Sequence, residues 1–105
     1  NRKIFIYNDA KKAVRGADVI FSDKVISLND KVNKKKKIEQ FKRFKIDKKL
    51  MNSAKKDCIF FFFLPSGDEV SDEVFLGKKS HVWQQALNRV HIQKSILFYC
   101  FCKLR

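Results

Sequence analysis

Proline occurs once and glycine three times in 105 residues, which rules out collagen-like and proline-rich linker classes. No apolar run reaches the roughly 18 residues that cross a bilayer as a helix. The longest, Cys58 to Pro65, is strand-sized. No basic-then-apolar leader of the secretory kind opens the chain, and the chain begins at Asn1 rather than a methionine, as a piece of a longer polypeptide would. Three cysteines, Cys58, Cys100 and Cys102, cannot all pair. With Cys58 inside an apolar run, reduced thiols in a cytoplasmic protein are the simplest expectation. Cys100 and Cys102 lie two apart on an expected helix and point to different sides, so they cannot grip one ion. His81 and His91 belong to no recognised nucleophile motif, and ordinary surface or packed roles are expected for both. Glycine-rich phosphate loops, Walker motifs and serine nucleophile elbows are also missing. No metal and no cofactor are expected.

What the chain does carry is enough apolar content, 45%, for one domain with a core. Its charge is lopsided: 24 Lys and Arg against 11 Asp and Glu leave +13. Most of that is local. Lys31 to Lys56 holds 12 bases and two acids, Glu39 and Asp47, whereas Asp57 to Phe75 holds five acids and no base. A basic segment therefore faces an acidic one. Lysine supplies 19 of the 24 bases, and Phe, Ile and Asn are also plentiful; all have A/T-rich codons, so genome composition accounts for much of the excess.

Along the chain, Arg2 to Tyr7 reads as a strand. Asn8-Asp9 caps a short helix, Ala10 to Arg15, stopped by Gly16. Ala17 to Phe21 is an unbroken apolar strand of the kind found in sheets covered on both faces. A polar loop, Ser22 to Val32, follows. Ile38, Phe41, Phe44 and Ile46 recur at spacings near three, the pattern of one helix with a buried apolar stripe and a solvated lysine face. Asp47 caps a helix over Lys48 to Ala54, with Leu50, Met51 and Ala54 inward. Cys58 to Leu64 gives the strongest strand signal, ended by Pro65-Ser66-Gly67. A short helix over Ser71 to Phe75, a turn at Gly77-Lys78-Lys79 and a brief strand at Val82-Trp83 come next. The longest helix runs from Gln84 to about Cys102, with Ala86, Val90, Leu97 and Phe101 on one face and Ile92, Ile96 and Tyr99 beside it. Strands alternating with helices make an α/β fold with a mostly parallel sheet, a three-layer Rossmann-like domain. Such sheets bind ligands outside the carboxyl ends of their strands. That directs attention to Ser22 to Asn29, Leu64 to Asp68, and Gln84 to Arg89.

Those positions carry a resemblance. Gly16 to Asp23 (GADVIFSD) with Ser27-Leu28 beyond it resembles the GADVIYTD stretch and Ser-Met-Gly loop of the ornithine carbamoyltransferase family. Cys58 to Pro65 (CIFFFFLP) is similar to the strand that ends in that family's His-Cys-Leu-Pro loop. Glu69 to Phe75 (EVSDEVF) is similar to the segment after it, and Gln85 to Arg89 (QALNR), with His91 beyond, to the start of the family's final helix. Each motif alone is weak; four in register, spanning about Ile4 to Phe101, are specific. The match covers the C-terminal, amino-acid-binding domain, here residues 1–105. The N-terminal carbamoyl phosphate-binding domain, with its Ser-x-Arg-Thr-Arg loop, has no counterpart in this sequence.

The resemblance implies an enzyme that transfers a carbamoyl group from carbamoyl phosphate to the side-chain amine of ornithine, giving citrulline and phosphate in arginine biosynthesis. It implies that Asp23 pairs with the ornithine ammonium group. Ser27 and Leu28 would form the loop that closes on the amino acid, with Leu28 where methionine is usual. Leu64 corresponds to the residue whose backbone helps hold the reacting carbonyl, and Pro65 to the proline that shapes its loop. Arg89 would stabilise carbamoyl phosphate. The residue types suit that chemistry. Attack of a neutral amine on a carbonyl builds negative charge on its oxygen and on the leaving phosphate, which cationic and N–H donors stabilise. A carboxylate anchoring the cationic amino acid supplies orientation.

Several positions depart from the family pattern. Phe62-Phe63 stands where His-Cys is usual, so Phe63, at the cysteine position, lacks that residue's chemistry. The loop after Pro65 is about two residues shorter, Asn29 replaces a glycine, Leu87 a glutamate and Val25 a tryptophan. With these changes and no phosphate loop, the chain alone is expected not to turn over. The partners implied are ornithine, carbamoyl phosphate held by the other domain, and two further copies in a homotrimer at full length. Neither nucleic acid nor membrane is an expected partner. Two other readings compete: a nucleic-acid module using the basic segment with Phe41 and Phe44, and a non-catalytic remnant that pairs with an intact carbamoyltransferase subunit.

Overall fold

A computed structural model describes residues 3–25 and 34–103. Its elements are α1 (Ala10–Val14), β1 (Val19–Ser22), α2 (Lys34–Phe41), a 3-10 turn (Lys42–Phe44), α3 (Lys48–Met51), β2 (Ile59–Phe62), α4 (Asp72–Phe75) and α5 (Val82–Lys103). β1 and β2 pair in parallel, Val19 opposite Ile59 through Ser22 opposite Phe62. Parallel neighbours need a crossover connection, and here α2, the 3-10 turn and α3 provide it. The expected α/β class with a parallel sheet is what the structure shows.

Local chemistry sets the element ends. Asp9 accepts a hydrogen bond from the Lys11 amide, 2.9 Å, and caps α1. Gly16, at φ 71°, ends that turn in the left-handed region that only glycine enters freely. Asp47 accepts from the Leu50 amide, 2.8 Å, and caps α3, which turns Leu50 and Met51 inward.

The core gathers on one side of the two strands. Ile20 from β1 and Phe60 and Phe62 from β2 meet Val14, Leu50, Met51, Cys58, Val70, Val74 and Val82. The opposite side is covered far less: Val19, Phe21 and Phe63 are exposed, and Ile59 and Phe61 are half-buried. An unbroken apolar strand therefore does not translate here into a sheet covered twice among the described residues. Strand side chains alternate between faces, and only one of these two faces is fully covered.

Three expected elements differ. Residues 3–7 form no strand; Ile4, Phe5 and Ile6 stand exposed, since a strand needs a partner ladder and none of the described residues offers one. Val82-Trp83 is not a strand but the first turn of α5. The extended stretch lies just before it, where Phe60 donates to the Lys79 carbonyl and accepts from the His81 amide, both 2.8 Å. The lysine-rich helix ends at Phe41, and Ile46 instead bridges to Val70 beside the core.

Candidate functional site

β1 and β2 end together. The Phe63 amide donates to the Ser22 carbonyl at 3.3 Å, which brings Asp23 and the Phe63-Leu64 segment to the same edge of the sheet. In a parallel sheet this carboxyl edge is where a crevice opens. A cavity of about 510 Å³ lies there, walled by Ser22, Asp23 and Val25 after β1, by Ile38, Phe41 and Phe44 from the α2 segment, and by Asp68 and Glu69 from the loop after β2, with Lys42 and Lys45 at its side. That volume suits a small molecule.

The apolar stripe foreseen in the basic segment thus has a different use. Ile38 and Phe41 remain more than 40% exposed because they line the cavity rather than the core. Periodicity correctly marks their shared side. What faces it is the crevice.

Each candidate residue has a definite place, with two exceptions. Asp23 is in the cavity wall, and one of its carboxylate oxygens accepts from the Lys24 amide at 2.7 Å, leaving the other oxygen for a ligand. Phe63 packs edge-on against Phe21, ring centroids 4.9 Å apart, and offers no hydrogen-bonding group. Its neighbour Phe62 is turned into the core. Leu64 is exposed and joined to Pro65 by a cis peptide bond. Arg89 is exposed on α5 and forms no ion pair among the described residues. Phe63, Leu64 and Arg89 are not among the cavity walls. Ser27 and Leu28 lie outside the described residues.

Glu69 was singled out in sequence only as part of a motif, yet it is central to the site. Its Oε1 accepts a hydrogen bond from the Val25 amide at 3.1 Å, across 44 residues of sequence. Its Oε2 is buried, with no hydrogen-bond partner among the described residues. Its carbonyl accepts from the Ile46 amide at 2.8 Å, and the Ile46 carbonyl in turn accepts from the Ser71 amide at 2.9 Å. The loop after β2 is thereby tied to the body on one side and to the loop after β1 on the other. The carboxyl-edge rule pointed at the neighbouring Leu64 to Asp68; the contact to Val25 has no local sequence signal.

The crevice carries both signs of charge. Asp23, Glu39 and Asp68 can receive cations, Lys42 and Lys45 can receive a carboxylate, and Glu69, with one oxygen on the Val25 amide and the other buried, lines the wall without being free to do so. A zwitterion bearing an additional ammonium group fits such a lining better than an anion does. No group of three or more His, Cys, Asp or Glu side chains among the described residues is arranged to hold a metal ion.

Comparison with known proteins bears on the same residues. The family described as aspartate/ornithine carbamoyltransferase, Asp/Orn binding domain, matches residues 1–100. The ornithine carbamoyltransferase of Wolinella succinogenes is 41% identical over 99 residues, which cover 92% of this chain and 32% of that protein. Among solved structures, the anabolic ornithine carbamoyltransferase of Campylobacter jejuni superposes with a TM-score of 0.78 at 35% identity, covering 87% of this chain and 31% of its own. The enzyme of Pyrococcus furiosus gives a TM-score of 0.77 at 40% identity over 85% of this chain and 29% of its own. The chain spans about a third of the length of these relatives.

Proposed function

Because the chain belongs to the aspartate/ornithine carbamoyltransferase family, we propose that it is the C-terminal, ornithine-binding domain of an ornithine carbamoyltransferase. The observation that carries this reading is Asp23, held at the carboxyl end of β1 in the wall of a crevice with charges of both signs. Its free oxygen receives the α-ammonium group of ornithine, the amine that does not react, and the lysines at the side of the crevice suit the carboxylate. Aspartate, the other amino acid in the family's description, would bring two carboxylates to a lining with four acids and two bases. The crevice favours ornithine on charge alone.

In the full enzyme, ornithine held this way presents its neutral side-chain amine to the carbonyl of carbamoyl phosphate, and citrulline and phosphate leave. Ser27 and Leu28 close over the amino acid, the Leu64 backbone helps hold the reacting carbonyl, and Arg89 stabilises charge on the phosphate. Phe63, at the family cysteine position, supplies only a ring. These 105 residues hold no counterpart of the carbamoyl phosphate-binding domain, and by themselves they do not turn over. Full-length assembly is a homotrimer, and the reduced cysteines suit the cytoplasm. No helix among the described residues is long and apolar enough to cross a membrane.

Calorimetric titration with ornithine, repeated with a bisubstrate analogue after adding a family N-terminal domain, tests the reading. Binding is expected for ornithine and not for aspartate. Asp23→Asn removes a charge-assisted contact and should weaken ornithine by about 10- to 100-fold. Absence of binding in both arms, or equal binding by the variant, contradicts it.

A further inference from the structure

We infer that Glu69 is a positioning residue for the amino-acid site: it latches the loop after β1 and so fixes where Asp23 points. This rests on the ornithine-binding reading, and deepens it.

The argument starts from the end of β1. Ser22 is the last residue of the ladder; Asp23 follows and, among the described residues, bonds only to the amide next to it. Nothing in that one-residue contact fixes the loop against the rest of the protein. The first such anchor is Val25, whose amide donates to Glu69 Oε1 at 3.1 Å. Glu69 can act as an anchor because its own backbone is fixed: its carbonyl holds the Ile46 amide, beside the bridge between Ile46 and Val70. The other carboxylate oxygen is buried, so the group has little freedom to leave.

Gly67 completes the device. A Cβ on Gly67 would come within 2.7 Å of Glu69 Oε2, closer than such atoms approach without one of them shifting. Side-chain-free backbone two residues away is what allows the carboxylate to occupy this position. The φ angle of Gly67 is not in the left-handed region, so alanine is compatible with the backbone and would act by displacing the carboxylate.

Two variants therefore break one latch by different routes. Glu69→Ala removes the acceptor. Gly67→Ala keeps the acceptor and its charge but pushes it off Val25. Glu69→Gln retains an oxygen acceptor at the same reach. Amide hydrogen exchange on the whole chain, read residue by residue by NMR, should show Val25 exchanging about 3- to 10-fold faster in Glu69→Ala and in Gly67→Ala, with Ile20 in β1 unchanged and Glu69→Gln close to the parent. Ornithine affinity should fall by a similar factor in the first two and recover in the third. Unchanged Val25 exchange in Gly67→Ala, or a Glu69→Gln variant as impaired as Glu69→Ala, overturns the latch. If Glu69→Ala fails to fold, Gly67→Ala and Glu69→Gln still decide. If the parent chain binds no ornithine, the functional reading fails while the exchange rates still judge the latch.

Discussion

Cys58 is enclosed in the core, whereas Cys100 and Cys102 stand exposed on α5. Burial disfavours the thiolate and pushes the Cys58 thiol above its ordinary value. A thiol reagent should therefore label two cysteines quickly in the native chain and the third only in denaturant; three fast reactions would contradict the packing. The shift also sets a pH dependence. A raised folded value favours the protonated form, so the stability it contributes is complete below the unfolded thiol value of about 8.5 and is lost as pH rises through the folded value. Lys48, raised by its hydrogen bond to Glu73, and Lys55, raised by its hydrogen bond to Asp18, have the same sign. Their loss comes later, above the usual lysine value of about 10.4, and is small because both pairs are exposed. Thermal melts should hold steady from neutral pH to about 8.5 and then fall, and in Cys58→Ala the fall should begin at higher pH.

At the scale of elements, the caps make a separate prediction. Asp47→Ala removes the acceptor for the Leu50 amide and should destabilise the chain by about 1 kcal/mol in denaturant titration. Phe60→Ala empties a position that is 0% exposed and should cost about 3–5 kcal/mol, enough to unfold a domain of this size. The contrast reflects what sequence makes legible. Asp9, Gly16 and Asp47 act on residues within three positions of themselves, so the ends of α1 and the start of α3 could be read directly. The strand at 59–62 declared itself by its apolar run. Pairing is different: residues 3–7 look like a strand, but no described ladder receives them. Ile38 and Phe41 show which face of α2 is apolar without showing that it borders a cavity. In the site, family motifs surround both Asp23 and Leu64, but only Asp23 lies in the crevice wall. Glu69 was not legible, because its partner lies 44 residues away.

Taken whole, the molecule exposes more than a chain of its mass usually does. Its accessible surface is 9244 Å², against about 6,100 Å² expected for a compact monomer of 12.4 kDa. Its radius of gyration is 17.0 Å, against about 13 Å for a compact domain of this length. Exposed apolar side chains have identifiable sources: Ile4 to Ile6, the sheet face at Val19, Phe21 and Phe63, and α5, where every residue from Ala86 to Cys102 is exposed. Patches of that kind are normally covered in an assembly. The chain by itself should bind the dye ANS strongly and should self-associate as salt screens its +13 charge. A dye-silent monomer at high salt would contradict the exposed surface.

The claim beneath all of this is that the carboxyl edge of β1 and β2 receives ornithine through Asp23. It is tested most directly by following backbone amide shifts in an NMR titration of the chain with ornithine and, separately, with 5-aminopentanoate, which lacks the α-ammonium. The account predicts saturable shifts at residues 22–25 and 68–69 with ornithine, weaker ones with 5-aminopentanoate, and loss of that difference in Asp23→Asn. Shifts confined to α5 or to the lysine-rich helix, or the same response to both amino acids, would contradict it.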